Sequence, residues 1–315
     1  MPIDAALELL LHAQESVISR EQALRAGLSR RAVEHRLATR AWQRVLPSVY
    51  VVGLRKPSRI QAQVAALLHA GDGAALDDVD ACICAGLTAV PFVKGRVYVA
   101  APEQSSARSC AFVVVRRVRK PFVTLPSGSV RYLEPAAALI AMSRRLRSPD
   151  RVLASFSEAI RRRITTHDEL VAAHLSGPPR HLALAADALE DTAEGVWSVA
   201  EGWFRRLAIG RPELPPLLYN RRLQLPDGRV LVPDALAVDA GLVHETNGRG
   251  AHEREDLFES MQQRHDALTT AGLILLHNSP RRLRNRGQTV IGEFCTCYLA
   301  NAGRGLPPGV VLLDR

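Results

Sequence analysis

Two carboxylates, Asp234 directly after Pro233 and Glu245 shortly beyond it, fall in adjacent predicted strands joined by a short turn. Acids so placed converge on one point and suit a divalent cation. Mg²⁺ prefers six oxygens and retains waters, one of which can attack phosphorus while the metal neutralises developing charge, so the chemistry expected is phosphodiester hydrolysis. Glu201, on the preceding predicted helix, can add a third acid or orient a metal-bound water. His252, at the start of the following helix, suits acid/base work or a phosphate contact, and Arg264, further along and inward-facing, can steady a pentacovalent phosphate. Asn247 is a neutral group that can bind metal through its amide oxygen or orient a water. The expected catalytic set is Asp234, Glu245, Asn247, His252, Glu201 and Arg264, with Asp234 and Glu245 as metal ligands. Mg²⁺ is the expected cofactor if the site turns over, and none otherwise.

The elements that must hold these groups follow from periodicity and punctuation. Ala183 to Ala208 has helical composition, with Ser198-x-x-Glu201 inside it. Strands are expected at Leu217–Leu225 and Arg229–Val238 around the turn Pro226-Asp227-Gly228, then at Leu242–Asn247 after Asp239-Ala240-Gly241. A long helix runs from His252 to about Thr270, Gly272 ends it, and Leu273–His277 is an apolar buried strand. The succession helix, three strands, helix, strand is an αβββαβ core.

The N-terminal segment carries a different signal. A helix over Asp4–Ala13 places Leu7, Leu10 and Leu11 on one face. Ser19-Arg20-Glu21-Gln22 has capping-box spacing, Gly27 ends the second helix, and Ser29 caps a third from Arg30 to about Thr39. Alternating apolar residues from Trp42 to Val52, interrupted by Pro47-Ser48, read as a hairpin. Three helices and a two-stranded wing make a winged helix-turn-helix. Arg30, Arg31, Glu34, His35, Arg36, Arg40 and Arg44 crowd its third helix and wing, residue types that contact phosphates and guanine edges in a major groove.

In the middle, a helix over Gln61–Ala70, a poorly patterned stretch with Asp77, Asp78 and Asp80, and strands at Arg96–Ala100 and Ala111–Val118 precede helices running to Leu175. The basic run Arg116 to Lys120 reads as a strand end in solvent rather than a phosphate site. Gly177-Pro178-Pro179 is the best linker, giving an α+β multidomain chain of three parts: 1–55, 56–177 and 180–315.

The net charge of +9, carried almost wholly by arginine, favours a polyanionic partner such as double-stranded DNA. The lysines are Lys56, Lys94 and Lys120, so a C-terminal site has none to use. No apolar run is long enough for a membrane span and no export signal is visible, which implies a cytoplasmic, nucleoid-associated location. Cys82-x-Cys84, Cys110 and Cys295-x-Cys297 lack histidines at zinc-finger spacing and read as reduced, mostly buried thiols.

Ile18 to Ala23, Gly27-Leu28-Ser29, Arg36, Trp42-Gln43-Arg44-Val45 and Pro47-Ser48-Val49-Tyr50 resemble the N-terminal winged helix of the abortive-infection (AbiEi-type) antitoxin family. That family usually has glycine where Ser48 stands and in the loop where Arg40-Ala41 stand. The resemblance implies DNA binding, in relatives often as an autorepressor paired with a toxin protein. Ser198, Glu201, Asp234, Glu245, Gly248, His252, Arg264, Leu268 and Gly272 resemble, in order, the PD-(D/E)XK very-short-patch-repair-like endonuclease domain, a restriction-endonuclease-like fold. Three letters depart from that pattern. Asn247 stands for the second acid of Glu-x-Asp-Gly, where other PD-(D/E)XK nucleases keep lysine; Met261 replaces a helix aspartate, and His277 a strand-end arginine. Fewer acids hold a dication less well. The expected function is a DNA-binding regulator of the antitoxin or repressor type with a degenerate nuclease-like domain. The alternative is an active Mg²⁺-dependent endonuclease targeted by its winged helix, and oligomeric state is left open.

Overall fold

Ser19 and Ser29 punctuate the first helices of the computed structural model, which describes residues 3–178, 180–246 and 255–314. Helix α1 (Ile3–Ala13) is followed by a short strand β1 (Val17–Ser19), then α2 (Arg20–Arg25) and α3 (Arg30–Ala38). Ser19 and Gln22 close a reciprocal capping box at the start of α2, and the Ser29 hydroxyl accepts from the Ala32 amide at 3.1 Å. Strands β2 (Trp42–Leu46) and β3 (Val49–Val52) form the expected hairpin, and β1 adds a third antiparallel strand beside β3. Three residues of β1 are too few to show alternation in sequence. Arg40 and Ser48 both sit at φ 58°. Both turns thus hold a left-handed backbone with side chains that resist it.

The described residues form two compact units: Met1–Leu146 with Arg162–Leu182, and Arg147–Arg161 with Ala183–Arg315. The N-terminal and middle regions, expected as separate parts meeting at residue 55, meet in one apolar cluster, while Leu7, Ile18, Ala23, Val33, Trp42 and Tyr50 form a separate core around α1 to α3. Val17, Leu46, Val49 and Val51 of the small sheet pack in the same cluster as Val64, Ala65, Ala66, Val97 and Val99. The middle region contributes α4 (Arg59–Ala70), β4 (Ala75–Leu76), α5 (Asp78–Cys84), β5 (Val97–Pro102), β6 (Val113–Val118), β7 (Thr124–Ser127), β8 (Val130–Leu133) and α6 (Pro135–Arg145). Its sheet runs β6-β5-β4-β8-β7, with β5–β6 and β4–β8 parallel.

The aspartates without pattern are buried and matched. Asp80 pairs with Arg59, Asp77 with Arg116 at 2.6 Å, and Asp78 with Arg145 at 2.6 Å. Arg116 of the basic run is therefore a core partner, and Arg119 pairs with Glu103 at 3.1 Å. Helix α7 (Pro149–Arg161) belongs to the second unit although α8 (His167–Ser176) returns to the first, so the second unit starts before the Gly177-Pro178 break.

In the second unit the single helix expected over Ala183–Ala208 is two, α9 (Ala183–Ala193) and α10 (Val199–Ile209). Gly195 breaks it at φ 90°, where a Cβ would lie 2.8 Å from the Tyr219 carbonyl oxygen. Ser198 then caps α10. The next two expected strands are also each divided. Asn220, at φ 49°, separates β9 (Leu218–Tyr219) from β10 (Leu223–Gln224), and Pro233, which has no amide to donate, stands between β11 (Val230–Leu231) and β12 (Ala235–Ala237). The halves enter different sheets. A four-stranded sheet runs β9-β12-β13-β14, with β13 (Leu242–Thr246) and β14 (Ile274–Asn278) parallel and the rest antiparallel. Helix α11 (Glu255–Thr270) makes the parallel crossover, burying Ala267 and Leu268 against Leu236 and Val243. A long α12 (Pro280–Asn301) follows, and β15 (Val311–Leu312) completes a small sheet with β10 and β11.

The chain is a mixed α/β, multi-unit protein, and among the described residues no helix is long and apolar enough to cross a membrane. Relief of left-handed strain predicts that Ser48→Gly raises stability by about 0.5–1 kcal/mol in urea unfolding; a loss of stability would show that the Ser48 side chain matters more than its backbone.

Candidate active site and basic face

The acids Asp234, Glu245 and Glu201 meet at one end of the four-stranded sheet. Asp234 immediately precedes β12, and its Oδ2 accepts from the Thr246 amide at 2.6 Å, tying it to the end of β13. Glu245, one residue earlier on β13, is 6% exposed. Its Oε1 accepts from Arg264 Nη2 at 2.8 Å and Nε at 3.2 Å, and Arg264 Nη2 also donates to the Val232 carbonyl. Glu201, in the first turn of α10, is buried; its Oε2 accepts from the Trp197 amide at 2.9 Å and from Asn220 Nδ2 at 2.6 Å. The Asn220 amide in turn donates to the Asp234 carbonyl oxygen at 3.3 Å.

Burial chiefly, then the charges of Glu245 and Glu201, push the Asp234 carboxyl up to about 8. Burial also raises Glu245, against the pull of Arg264. The cluster holds more negative charge than its one arginine balances, so at neutral pH it keeps a proton or takes up a cation. The donor set fits a hard ion. Every donor is oxygen, and neither Asp234 Oδ1 nor Glu245 Oε2 has a protein hydrogen bond among the described residues. No group of three His, Cys, Asp or Glu poised to hold a metal is found among those residues.

The structure brings Asp234, Glu245, Glu201 and Arg264 together. Asn247 and His252 lie outside the described residues. Arg264 faces inward as its spacing predicts, but its fork is spent on Glu245 and Val232 rather than left open. His277 lies opposite Glu245 in the parallel ladder, exposed, its ring 5.0 Å from that of His265. Burial, followed by the charges of His277 and Arg264, holds His265 below the ordinary histidine value. His244 is a core residue, stacked on Phe204 with ring centroids 3.8 Å apart and pushed down to about 3 mainly by burial. Asn220 is the positioning residue that sequence reasoning missed. It links Glu201 to Asp234 from a turn, and no periodicity marks it.

The basic face is on the first unit. Ser29 and Val33 fix how α3 sits, with Val33 fully buried and Arg30, Arg31, Glu34 and His35 exposed. The arginines divide by what they touch. Arg20 pairs with Glu34 at 3.1 Å, Arg25 pairs with Glu21, Arg36 lies over the Trp42 ring at 5.6 Å and Arg44 over Tyr50 at 6.0 Å. Among the described residues Arg30, Arg31 and Arg40 have no side-chain partner. Glu34 is therefore a clamp on Arg20, while Arg30 and Arg31 project from the first turn of α3.

No family model matches the chain, and no curated protein matches it. Among solved structures, the crystal structure of the RV2827C protein from Mycobacterium tuberculosis aligns with a TM-score of 0.40 at 14% identity, over 64% of this chain and 80% of that one. A likeness at that level carries no argument.

The raised Asp234 carboxyl has a sign that can be tested. Between 3.8, the ordinary value, and about 8 the folded chain binds the proton more tightly than the unfolded chain, so this group's contribution to stability falls as pH rises across that window. Asp234→Asn keeps an acceptor for the Thr246 amide and removes the charge. Its melting temperature should exceed the native chain's at about pH 9 and converge with it below about pH 4. A gap that does not change with pH contradicts the protonation.

Proposed function

We propose that this chain is a duplex-DNA-binding regulator of the antitoxin or repressor type whose C-terminal unit is a nuclease-like domain with a weakened site. The observation that carries the reading is the free pair Arg30 and Arg31 at the N-terminus of an exposed helix, on a segment of three helices and a small antiparallel sheet. That arrangement fits a winged helix-turn-helix in which α3 lies in a major groove, its arginines on phosphates or guanine edges. The net charge of +9 favours the same partner. A toxin partner follows from the family resemblance and is part of the proposal on that ground.

The sheet order β9-β12-β13-β14 preceded by α10 and bridged by α11 supports the nuclease-like reading of the second unit, an αβββαβ succession with Asp234 and Glu245 at adjacent strand ends. Its quietness is supported by chemistry. Arg264 already neutralises one Glu245 oxygen, burial and neighbouring acids favour the protonated form of Asp234, and Met261 offers no carboxylate on α11.

The free oxygens of Asp234 and Glu245 favour the second reading, an endonuclease. A bound Mg²⁺ would sit on these two carboxylates and supply charge neutralisation and an activated water. Glu201, fixed by Asn220 and the Trp197 amide, would orient the water-side of the site, and Arg264 would have to release Glu245 to meet a phosphate.

Two measurements test the proposal, the first on the DNA face that both readings share and the second on the choice between them. In fluorescence anisotropy with a duplex, Arg30→Ala and Arg31→Ala should each weaken binding and lower the slope of log affinity against log salt by about 1. Arg36→Ala should instead lower the melting temperature, because it strips the Trp42 ring of its cover. Unchanged DNA affinity in the Arg30 and Arg31 variants overturns the DNA face. In a plasmid assay with Mg²⁺ or Mn²⁺ the native chain should leave supercoiled DNA intact; nicking that Asp234→Ala abolishes would establish the endonuclease.

A further inference from the structure

We propose that Cys110 is a modification site that forms a mixed disulfide with a small carboxylate-bearing disulfide seated in the cavity beside it. The cavity, about 640 Å³, opens on the first unit and is lined by His69, Asp72, Ser105, Arg108 and Cys110 among others. The Cys110 sulfur lies 3.4 Å from His69 Nε2, and that nitrogen is 2.9 Å from the Arg108 carbonyl oxygen. With a proton on Nε2, the imidazole donates to the carbonyl and presents the same N–H to the sulfur, a donor that a thiolate accepts from.

The pair is held in place from both sides. His69 is in the last turn of α4, and Ser105 Oγ donates to the Ala70 carbonyl at 2.9 Å while accepting from the Ala107 amide at 3.2 Å, which pins the loop across that helix end. Cys110 exchanges backbone hydrogen bonds of 3.1 and 2.8 Å with Val113, around Ala111 at φ 48°. Arg108, whose side chain has no protein partner among the described residues, is also a lining residue and supplies a cation for a carboxylate. The ligand read from these groups is a peptide-like disulfide bearing free carboxylates.

The other thiols are poorly suited. Cys82 and Cys295 are buried. Burial pushes Cys84 up to about 11, and raises Cys297 as well, which leaves little thiolate at either.

The step is an exchange and needs no further oxidant. The Cys110 thiolate attacks one sulfur of R–S–S–R, the bond between the two sulfurs breaks, and Cys110–S–S–R forms. The released R–S⁻ takes up the proton that Cys110 gave up, so one half of the small disulfide is reduced as Cys110 is oxidised.

Glutathione disulfide is a suitable probe. The full chain is incubated with it at neutral pH and the adducts are followed by intact mass and peptide mapping, in buffer and in urea. A single early adduct is expected, at Cys110, forming at least about tenfold faster than any at Cys84 and faster in the folded chain than in the unfolded one. Cys110→Ser should remove it, and Arg108→Ala, on the surface, should slow it. Equal rates at Cys110 and Cys84, or a folded chain no faster at Cys110 than the unfolded chain, overturns the proposal.

Discussion

Negative charge held out of water at one end of the four-stranded sheet governs the second unit. Asp234, Glu245 and Glu201 are fixed there by backbone amides, by Asn220 and by one arginine. Carboxylates in such a place repel one another unless a proton, a cation or a guanidinium intervenes. Arg264 takes Glu245, and Asp234 is left to a proton or a cation. The order of β9, β12 and β13 exists to bring these groups together, and the parallel β13–β14 pair across α11 places Arg264 over them.

The first unit shows what the same residue type looks like when it serves the fold. Asp77, Asp78 and Asp80 are buried as deeply, but each has its own arginine, and Asp80 also takes Gln63 and the Tyr98 amide. Removing one partner of such a pair leaves an unpaired buried charge, so these pairs lock β4 and α5 to their neighbours. The contrast is in matching. Three acids with three arginines make structure, whereas three acids sharing one arginine make a site that wants a further positive charge.

Much of this was legible in the sequence where a local rule decides the outcome. The capping residues Ser19 and Ser29, the turn at Pro226-Asp227-Gly228 and the stop at Gly272 fix element ends through their own backbone chemistry, and the acid pair could be placed because adjacent strands leave few alternatives. What escaped depends on partners far away in sequence. β1 forms only because β3 offers an edge, and the strands around Asn220 and Pro233 divide because their halves enter different sheets. Asp77 to Asp80 look patternless because their arginines lie at 59, 116 and 145. Asn220 positions Glu201 from nineteen residues away, and His69 meets Cys110 from forty-one. The turns before β2 and between β2 and β3 show a subtler case. Arg40 and Ser48 hold a glycine-like backbone without glycine, which letters alone leave open.

The most direct test of the account is the ¹³C resonance of the Asp234 carboxyl, followed from about pH 4 to 10 with and without millimolar Mg²⁺. A proton-held, quiet site predicts a midpoint near the raised value of about 8 that Mg²⁺ barely moves. A midpoint that drops into the ordinary carboxylate range when Mg²⁺ is added would show that the cation displaces the proton, and would contradict the reading of the second unit as a domain that no longer works as a metal-dependent nuclease.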